Sequence, residues 1–283
     1  MAIPRLGFSA SLPMALTPIS LGRLRVLQAC REGWIAFGLA PGPFLIFSIL
    51  SSLAMGACVL PIALGTAPLV LVPEATGIAE ALLPRLIVML VSLGAVLVGV
   101  LLLGLVTLVT SVGFCHGAWL ALEGHKPRFA DLIRWDGAAI NRLILAWTAS
   151  QLLLLLGLVP LGLAGWGLSS LGLGPVLWWP IGLLALVFCG WFGITQTFLN
   201  PLCLFRSAKP LVTLRSGIKG VHGQWWRVWA LQGLLVTVIV VSSGASAYAL
   251  SIALAPVVAC INLAAYRQLF GAEDRLGLIK PQT

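Results

Sequence analysis

The long apolar segments of this chain offer only amide and hydroxyl side chains for chemistry inside a membrane. No Asp, Glu, Lys or His lies near the middle of any of these segments. Proton-coupled carriers, ion pumps and voltage sensors generally need such groups, because an intramembrane charge is costly and is kept for function. The sequence therefore argues against those classes and leaves a candidate polar path of four amides: Gln151, Gln196, Asn200 and Gln232.

Two interpretations of these amides remain open. Gln196 and Asn200 are four residues apart and would share one face of a continuous helix, where they could line a substrate path. Alternatively, the amides would form hydrogen bonds between helices together with Ser150, Thr195 and Asn262, which is the commoner role of such residues in membranes.

Acid–base groups are concentrated in one connection, which holds Glu123, His125, Asp131 and Asp136. The favoured interpretation is a solvated loop, since the chain has no GxSxG, HExxH, Walker-type or dinucleotide motif. Its six cysteines are scattered, without a CxxC or Cys/His cluster. We therefore predict a protein that is not an enzyme and has no cofactor or metal site.

The most basic stretch of the chain is 206–229. Basic residues Arg215, Lys219 and His222 share one face of a helix predicted from Pro210 onward. The opposite, apolar face consists of Leu211, Leu214, Ile218 and Val221. Such a helix is typical of the membrane surface, with its apolar side towards lipid. We hypothesise that its three basic residues bind anionic membrane lipids.

Composition indicates an integral membrane protein. The chain has 283 residues, of which 60% are hydrophobic and 9% are charged, whereas a soluble domain carries about a quarter charged residues. The net charge of +9 comes from short clusters at the ends of apolar segments. That distribution is typical of membrane orientation signals, and no nucleic-acid-binding motif accompanies it. We predict no nucleic-acid partner.

The predicted fold is all-α, a polytopic bundle of about six transmembrane helices with amphipathic interfacial helices on the cytoplasmic side. About 20 residues are needed to cross the hydrocarbon. The second apolar segment is longer than that, and no turn signal divides it, so we predict one long helix. The predicted spans are 41–64, 85–123, 138–163, 176–205, 229–243 and 247–269. The predicted loops that pair them are 66–84, 165–175 and a tight turn at 243–246.

The predicted domain organisation is a disordered cytoplasmic leader at 1–19, a six-span membrane domain at 20–271 and a cytoplasmic tail at 272–283. Ser20 would cap an amphipathic basic helix that ends at Trp34. Six spans place both termini on one side. Nearly all Lys and Arg residues lie in segments on that side, so the positive-inside rule predicts cytoplasmic termini.

A basic amphipathic segment followed by Trp and a pair of spans occurs three times, at Trp34, at Trp135 and at Trp225–Trp226. The pattern could reflect a threefold structural repeat. It could also arise in any multi-span protein with basic cytoplasmic loops.

Three short segments carry a family resemblance: REGWIAF, ALEGHKPRFADLIRW and NLAAYRQLFG. With Gly33–Trp34, the EGxxPxFxDL pattern at 123–132 and Ala-Ala-Tyr-Arg at 264–267, the chain resembles a loose group of bacterial multi-pass proteins of unassigned function. That group is similar to the membrane domain of some glycerophosphodiester phosphodiesterases, whose catalytic domain has no counterpart in this sequence. The resemblance implies a six-span helical fold with cytoplasmic termini and supplies no catalytic residue.

Three functions remain in view. The leading hypothesis is a non-enzymatic membrane protein that interacts with lipid, or that senses or scaffolds through a membrane-protein partner or a second copy of itself. The alternative is a facilitator or exporter of an apolar or zwitterionic small molecule, which would use the four amides. An enzyme would require the acids of the 123–136 connection to meet in one pocket.

Overall fold

The computed structural model describes ten helices and no strand, and the described part is 87% helical. The all-α prediction is therefore confirmed. The helices are α1 (Val26–Leu39), α2 (Pro41–Ala75), α3 (Leu82–Leu122), α4 (Phe129–Leu132), α5 (Gly137–Ser170), α6 (Gly174–Thr195), α7 (Leu199–Phe205), α8 (Pro210–His222), α9 (Trp225–Ser246) and α10 (Ala249–Phe270). The described residues are 22–75, 82–134, 136–170, 172, 174–206, 209–246 and 249–278, with backbone alone for 68–75, 82–85, 174–178 and 243–246.

Six stretches of the described chain are long and apolar enough to cross a membrane. They are Pro41–Ala67, Leu86–Leu122, Gly137–Ser170, Trp179–Phe205, Trp225–Ser242 and Ala249–Phe270. The prediction that the second span is one long helix is confirmed, since α3 runs unbroken over 41 residues. The chain is a multi-pass integral membrane protein.

The helices form two layers along the membrane normal. Large apolar side chains are exposed along 46–64 of α2, 86–105 of α3 and 144–163 of α5, and such a band belongs in hydrocarbon. At the other end, α1, α4, α7 and α8 surround the C-terminal ends of α3 and α10. We call this end the packed layer, because side chains such as Trp119 and Tyr266 are almost completely buried there.

Aromatic contacts hold the packed layer together. The rings of Trp119 and Phe205 lie 4.3 Å apart between centroids, and each also contacts the ring of Tyr266. Aromatic pairs add to the stabilisation that comes from burying their area. Replacing a core tryptophan by alanine typically costs about 3–5 kcal/mol, so loss of the Trp119 ring would loosen α3 from α7 and α10.

Consecutive spans pair as the hairpins α2–α3, α5–α6 and α9–α10. Helix α10 has the most central position, because it packs on α1, α2, α3 and α9. Both ends of the described part of the chain lie in the packed layer, where the Gly22 amide donates to the Gln268 carbonyl at 3.1 Å. The Arg275 amide caps α7 by donating to the Phe205 carbonyl at 2.8 Å.

Several predicted boundaries are wrong. The tight turn predicted at 243–246 is helical, since α9 continues to Ser246, and the helix predicted from Ser20 begins at Val26. Helix α2 continues to Ala75 and α3 begins at Leu82, so most of the predicted 66–84 loop is helical. Helix α5 likewise continues to Ser170, and α1 runs past Trp34 to Leu39. For the spanning helices, the physical reason is that backbone polar groups have no water partners in hydrocarbon, which extends helices through sequence that would form loops in water.

The fourth span is broken, although the sequence predicted one helix over 176–205. Helix α6 ends at Thr195, a turn follows at 196–198, and α7 begins at Leu199. Pro201 accounts for the turn, because proline lacks an N–H and its ring clashes with the carbonyl four residues earlier, here that of Thr197. In the first turn of α7 the same proline is tolerated.

Several sequence predictions lie outside the described residues. They are the leader at 1–19, the Ser20 cap, Trp135 with its place in the proposed repeat, and positions 279–283 of the tail.

Candidate functional site

A cavity of about 460 Å³ lies between α2, α3, α7, α9 and α10 within the spanning segments. Apolar side chains such as Phe114, Phe198 and Val258 supply much of its wall. Its polar lining residues are the hydroxyl residues Ser48, Ser51, Ser52, Thr110, Ser111, Thr197 and Ser251 and the amides Asn200 and Asn262. An apolar wall with a few placed polar groups is typical of small-molecule sites.

The described residues that line the cavity include no Asp, Glu, Lys, Arg or His. A charge that leaves water without a partner in a low-dielectric site costs several kcal/mol. The lining could offer hydrogen bonds to a bound molecule but no opposite charge.

The serines of α2 reach the cavity because of their spacing. Ser48, Ser51 and Ser52 stand at i, i+3 and i+4, which places them on one helix face. Ser48 Oγ donates to the Ile252 carbonyl at 2.5 Å and so ties α2 to α10. Sequence reasoning missed this face, and the spacing of the three serines was the signal that could have found it.

Neighbouring side chains hold the two cavity amides in place. The indole Nε1 of Trp147 on α5 donates to Asn200 Oδ1 at 2.9 Å. Gln232 Nε2 on α9 donates to Asn262 Oδ1 on α10 at 2.8 Å. These bonds connect α5 with α7 and α9 with α10, and they place both amides at the cavity wall.

No family model, curated protein or solved structure matches this chain. What the cavity does must therefore be inferred from its own residues.

The four amides of the predicted polar path have different places. Asn200 lines the cavity. Gln232 lies behind another lining residue, Asn262, to which it donates a hydrogen bond. Gln151 is exposed on α5 and is not among the lining residues. Gln196 lies in the turn before α7, where its side-chain nitrogen and oxygen are buried and have no hydrogen-bond partner in the described structure. Because of that turn, Gln196 and Asn200 do not share the continuous helix face expected from their spacing.

The basic face of α8 is exposed at Arg215, Lys219 and His222. Its opposite face packs on protein, whereas the sequence predicted contact with lipid: Leu214 and Val221 are almost fully buried. The physical reason is the small side-chain volume of glycine on the packed face. Gly217 and Gly220 allow α8 to approach the Thr195 carbonyl and the Phe270 ring closely. Leu211, predicted to be on the apolar face, is 69% exposed.

Each acid of the 123–136 connection accepts a local hydrogen bond. Glu123 Oε1 accepts from Trp119 Nε1 at 2.7 Å. Asp131 accepts from the Arg128 amide at the start of α4, and Asp136 accepts from the Ala139 amide at the start of α5. His116 Nδ1 lies 2.7 Å from the Asp131 carbonyl oxygen. Among the described residues, no group of three or more His, Cys, Asp or Glu side chains could hold a metal ion.

Each of the segments that carry the family resemblance packs on a neighbouring helix in the packed layer. Gly33 lies against the backbone of Ile261, and Gly117 of α3 packs on the Leu132 side chain. The Arg267 guanidinium lies 5.3 Å from the centre of the Trp119 ring. These contacts give all three segments a role in helix packing.

Proposed function

We propose that this integral membrane protein is a facilitator that binds a small apolar or zwitterionic molecule without net charge and eases its passage through the bilayer. The observation that carries the proposal is the intramembrane cavity, in which hydroxyl and amide groups interrupt an apolar wall and none of the described lining residues is charged. Its volume of about 460 Å³ is within the range of roughly 300–1,000 Å³ that small-molecule sites occupy.

The break between α6 and α7 supports a transport role. Discontinuous helices commonly form the substrate sites of secondary transporters, because the freed backbone groups line a cavity. Here Thr197 and Phe198 of the turn, together with Asn200 and Pro201 of α7, are part of the cavity wall. The turn therefore lies where a substrate would bind.

The cavity chemistry favours binding over catalysis. Among the described lining residues, Cys115 is the only thiol, and none of the others could act as its general base. A non-enzymatic role is therefore part of the proposal. We place the packed layer in the cytoplasm, because the basic connections lie at that end and positive residues concentrate on the cytoplasmic side.

A direct test uses vesicles that contain the purified protein and fluorescent single-chain lipids. One probe carries a zwitterionic phosphocholine head, and the other carries a cationic trimethylammonium head with the same chain and fluorophore. We expect the protein to accelerate the movement of the zwitterion between leaflets, measured by dithionite quenching, and to leave the cation at the rate of protein-free vesicles. Equal acceleration of both probes, or of neither, would contradict the proposal.

One observation favours a second function, contact with anionic lipid. The exposed basic face of α8 is followed at once by the first turns of α9, where Trp226 and Trp229 are exposed. Tryptophan next to cationic side chains is typical of the membrane–water interface. In this role Arg215, Lys219 and His222 would bind lipid head groups.

A further inference from the structure

The hydrogen bond between Trp147 and Asn200 fixes the direction of the Asn200 amide. An indole N–H can donate but cannot accept. The group that faces it at 2.9 Å must therefore be the carbonyl oxygen of Asn200. Amide orientation is usually assigned rather than observed, but here the chemistry of the partner decides it. The NH₂ group of Asn200 remains as a donor at the cavity wall.

The other cavity amide is less constrained. Gln232 donates to Asn262 through its side-chain nitrogen. Rotating both side-chain amides by 180° would exchange the donor and the acceptor and keep the hydrogen bond between Gln232 and Asn262, because each amide carries both groups. Of the two cavity amides, only Asn200 therefore has a fixed orientation, and its NH₂ group is the hydrogen-bond donor that it offers.

The cavity follows α10 over several turns. Its lining residues on α10 run from Ser251 to Leu263, which is about 18 Å at 1.5 Å per residue. We call this cavity the slot. A wall of that length can hold one extended chain alongside α10.

The two ends of the slot differ in surroundings. Asn200 and Asn262 lie towards the packed layer, where Trp147 and Gln232 support them. Ile239 and Ile252 line the other part, where the Ser48 hydroxyl already donates to the Ile252 carbonyl. The neighbouring Val240 and Leu250 are exposed to the apolar band. A chain-shaped molecule can therefore reach the slot from the lipid side, with its polar end towards the amides.

We infer that the cavity binds an uncharged single-chain amphiphile whose carbonyl or ester oxygen accepts a hydrogen bond from the NH₂ group of Asn200. Trp147 is a positioning residue that keeps this donor turned towards the ligand. The inference rests on the function proposed above and narrows its substrate class. An ester gains a hydrogen bond that a hydrocarbon of the same length cannot form, which is worth roughly two- to tenfold in binding.

The test uses photoreactive long-chain probes and the full-length protein in lipid nanodiscs. One probe is a methyl ester, the second is a hydrocarbon of equal length, and both carry the diazirine at the chain end. Mass spectrometry measures the labelled fraction of the peptide that contains 251–263. We expect the ester to label it roughly two- to tenfold more than the hydrocarbon. The ester advantage should disappear in Asn200→Leu and persist in Gln151→Leu, which changes an exposed amide outside the cavity.

Trp147→Phe separates positioning from packing. This substitution removes the indole N–H, so the Asn200 amide can turn. The ratio of ester to hydrocarbon labelling should then fall, while hydrocarbon labelling itself stays constant. A purely structural role would lower both. Equal labelling by the two probes in the unmodified protein, or an ester advantage that survives Asn200→Leu, would overturn the inference and leave the proposed function standing. If neither probe labels the cavity and both label only the lipid-facing surface, the proposed function fails as well.

Discussion

Gly33 of α1 lies so close to Ile261 of α10 that a Cβ on the glycine would stand 2.5 Å from the Ile261 Cα. Real Cβ atoms do not approach backbone atoms to that distance, so a larger residue would force the two helices apart. The contact fixes α1 along the central helix. It also gives a physical reason for a glycine at position 33.

Gly33→Ala should therefore destabilise the protein. Overpacking a well-packed contact typically costs about 1–3 kcal/mol, and a backbone neighbour cannot move aside as a flexible side chain can. Thermal unfolding in detergent measures the loss. Gly38→Ala is the matched control, because it lies in the same helix with nothing within 4 Å of its Cβ position. Equal unfolding temperatures for the two variants would show that α1 is not held by this contact.

Arg267→Lys should destabilise the packed layer by about 1–2 kcal/mol, although it conserves charge. Arg267 is 8% exposed, and its guanidinium lies over the Trp119 ring. A planar guanidinium stacks on an aromatic face, whereas an ammonium is a compact and strongly hydrated charge. Arg275→Lys is the control: its ion pair with Glu273 is exposed, and exposed pairs contribute about 0–1 kcal/mol. Unfolding midpoints of the two variants provide the comparison, and a smaller loss for Arg267→Lys would contradict the stacking argument.

Anionic lipid should stabilise the protein through α8. Arg215, Lys219 and His222 form an exposed basic face, and each basic residue near an anionic membrane contributes about 1 kcal/mol. We expect the unfolding temperature to be higher in phosphatidylglycerol than in phosphatidylcholine nanodiscs. Replacing all three residues by Gln should remove most of that difference. A double Gln variant of Lys126 and Arg128, exposed in another connection, controls for loss of charge. If both variants behave alike, the lipid effect does not depend on α8.

Hydropathy predicted the six spans because hydrocarbon imposes the same length and composition on any crossing helix. The same signal could not locate the break in the fourth span. Pro160 and Pro256 lie inside unbroken helices, whereas Pro201 follows a turn. Whether a membrane helix continues through a proline depends on which neighbours satisfy the freed backbone groups, and a single sequence does not specify those neighbours.

The cavity could be predicted only in part. Asn200 was recognised as a polar residue within a span, but its partner Trp147 is 53 positions away on α5. The hydroxyl residues of the lining come from α2, α3, α10 and the turn before α7. These residues come together because of tertiary packing. Sequence spacing predicts only which residues share a face of one helix.

The central claim is that a molecule without net charge occupies the cavity on its way through the bilayer. Ala255→Leu tests it most directly, because Ala255 lines the cavity and the larger side chain would fill part of the slot. Ala253→Leu is the control, since Ala253 lies on the same helix and is not a lining residue. Dithionite quenching of the phosphocholine probe measures movement between leaflets. We predict that Ala255→Leu lowers the rate close to that of protein-free vesicles while Ala253→Leu retains the full rate. Full activity of Ala255→Leu would contradict the account.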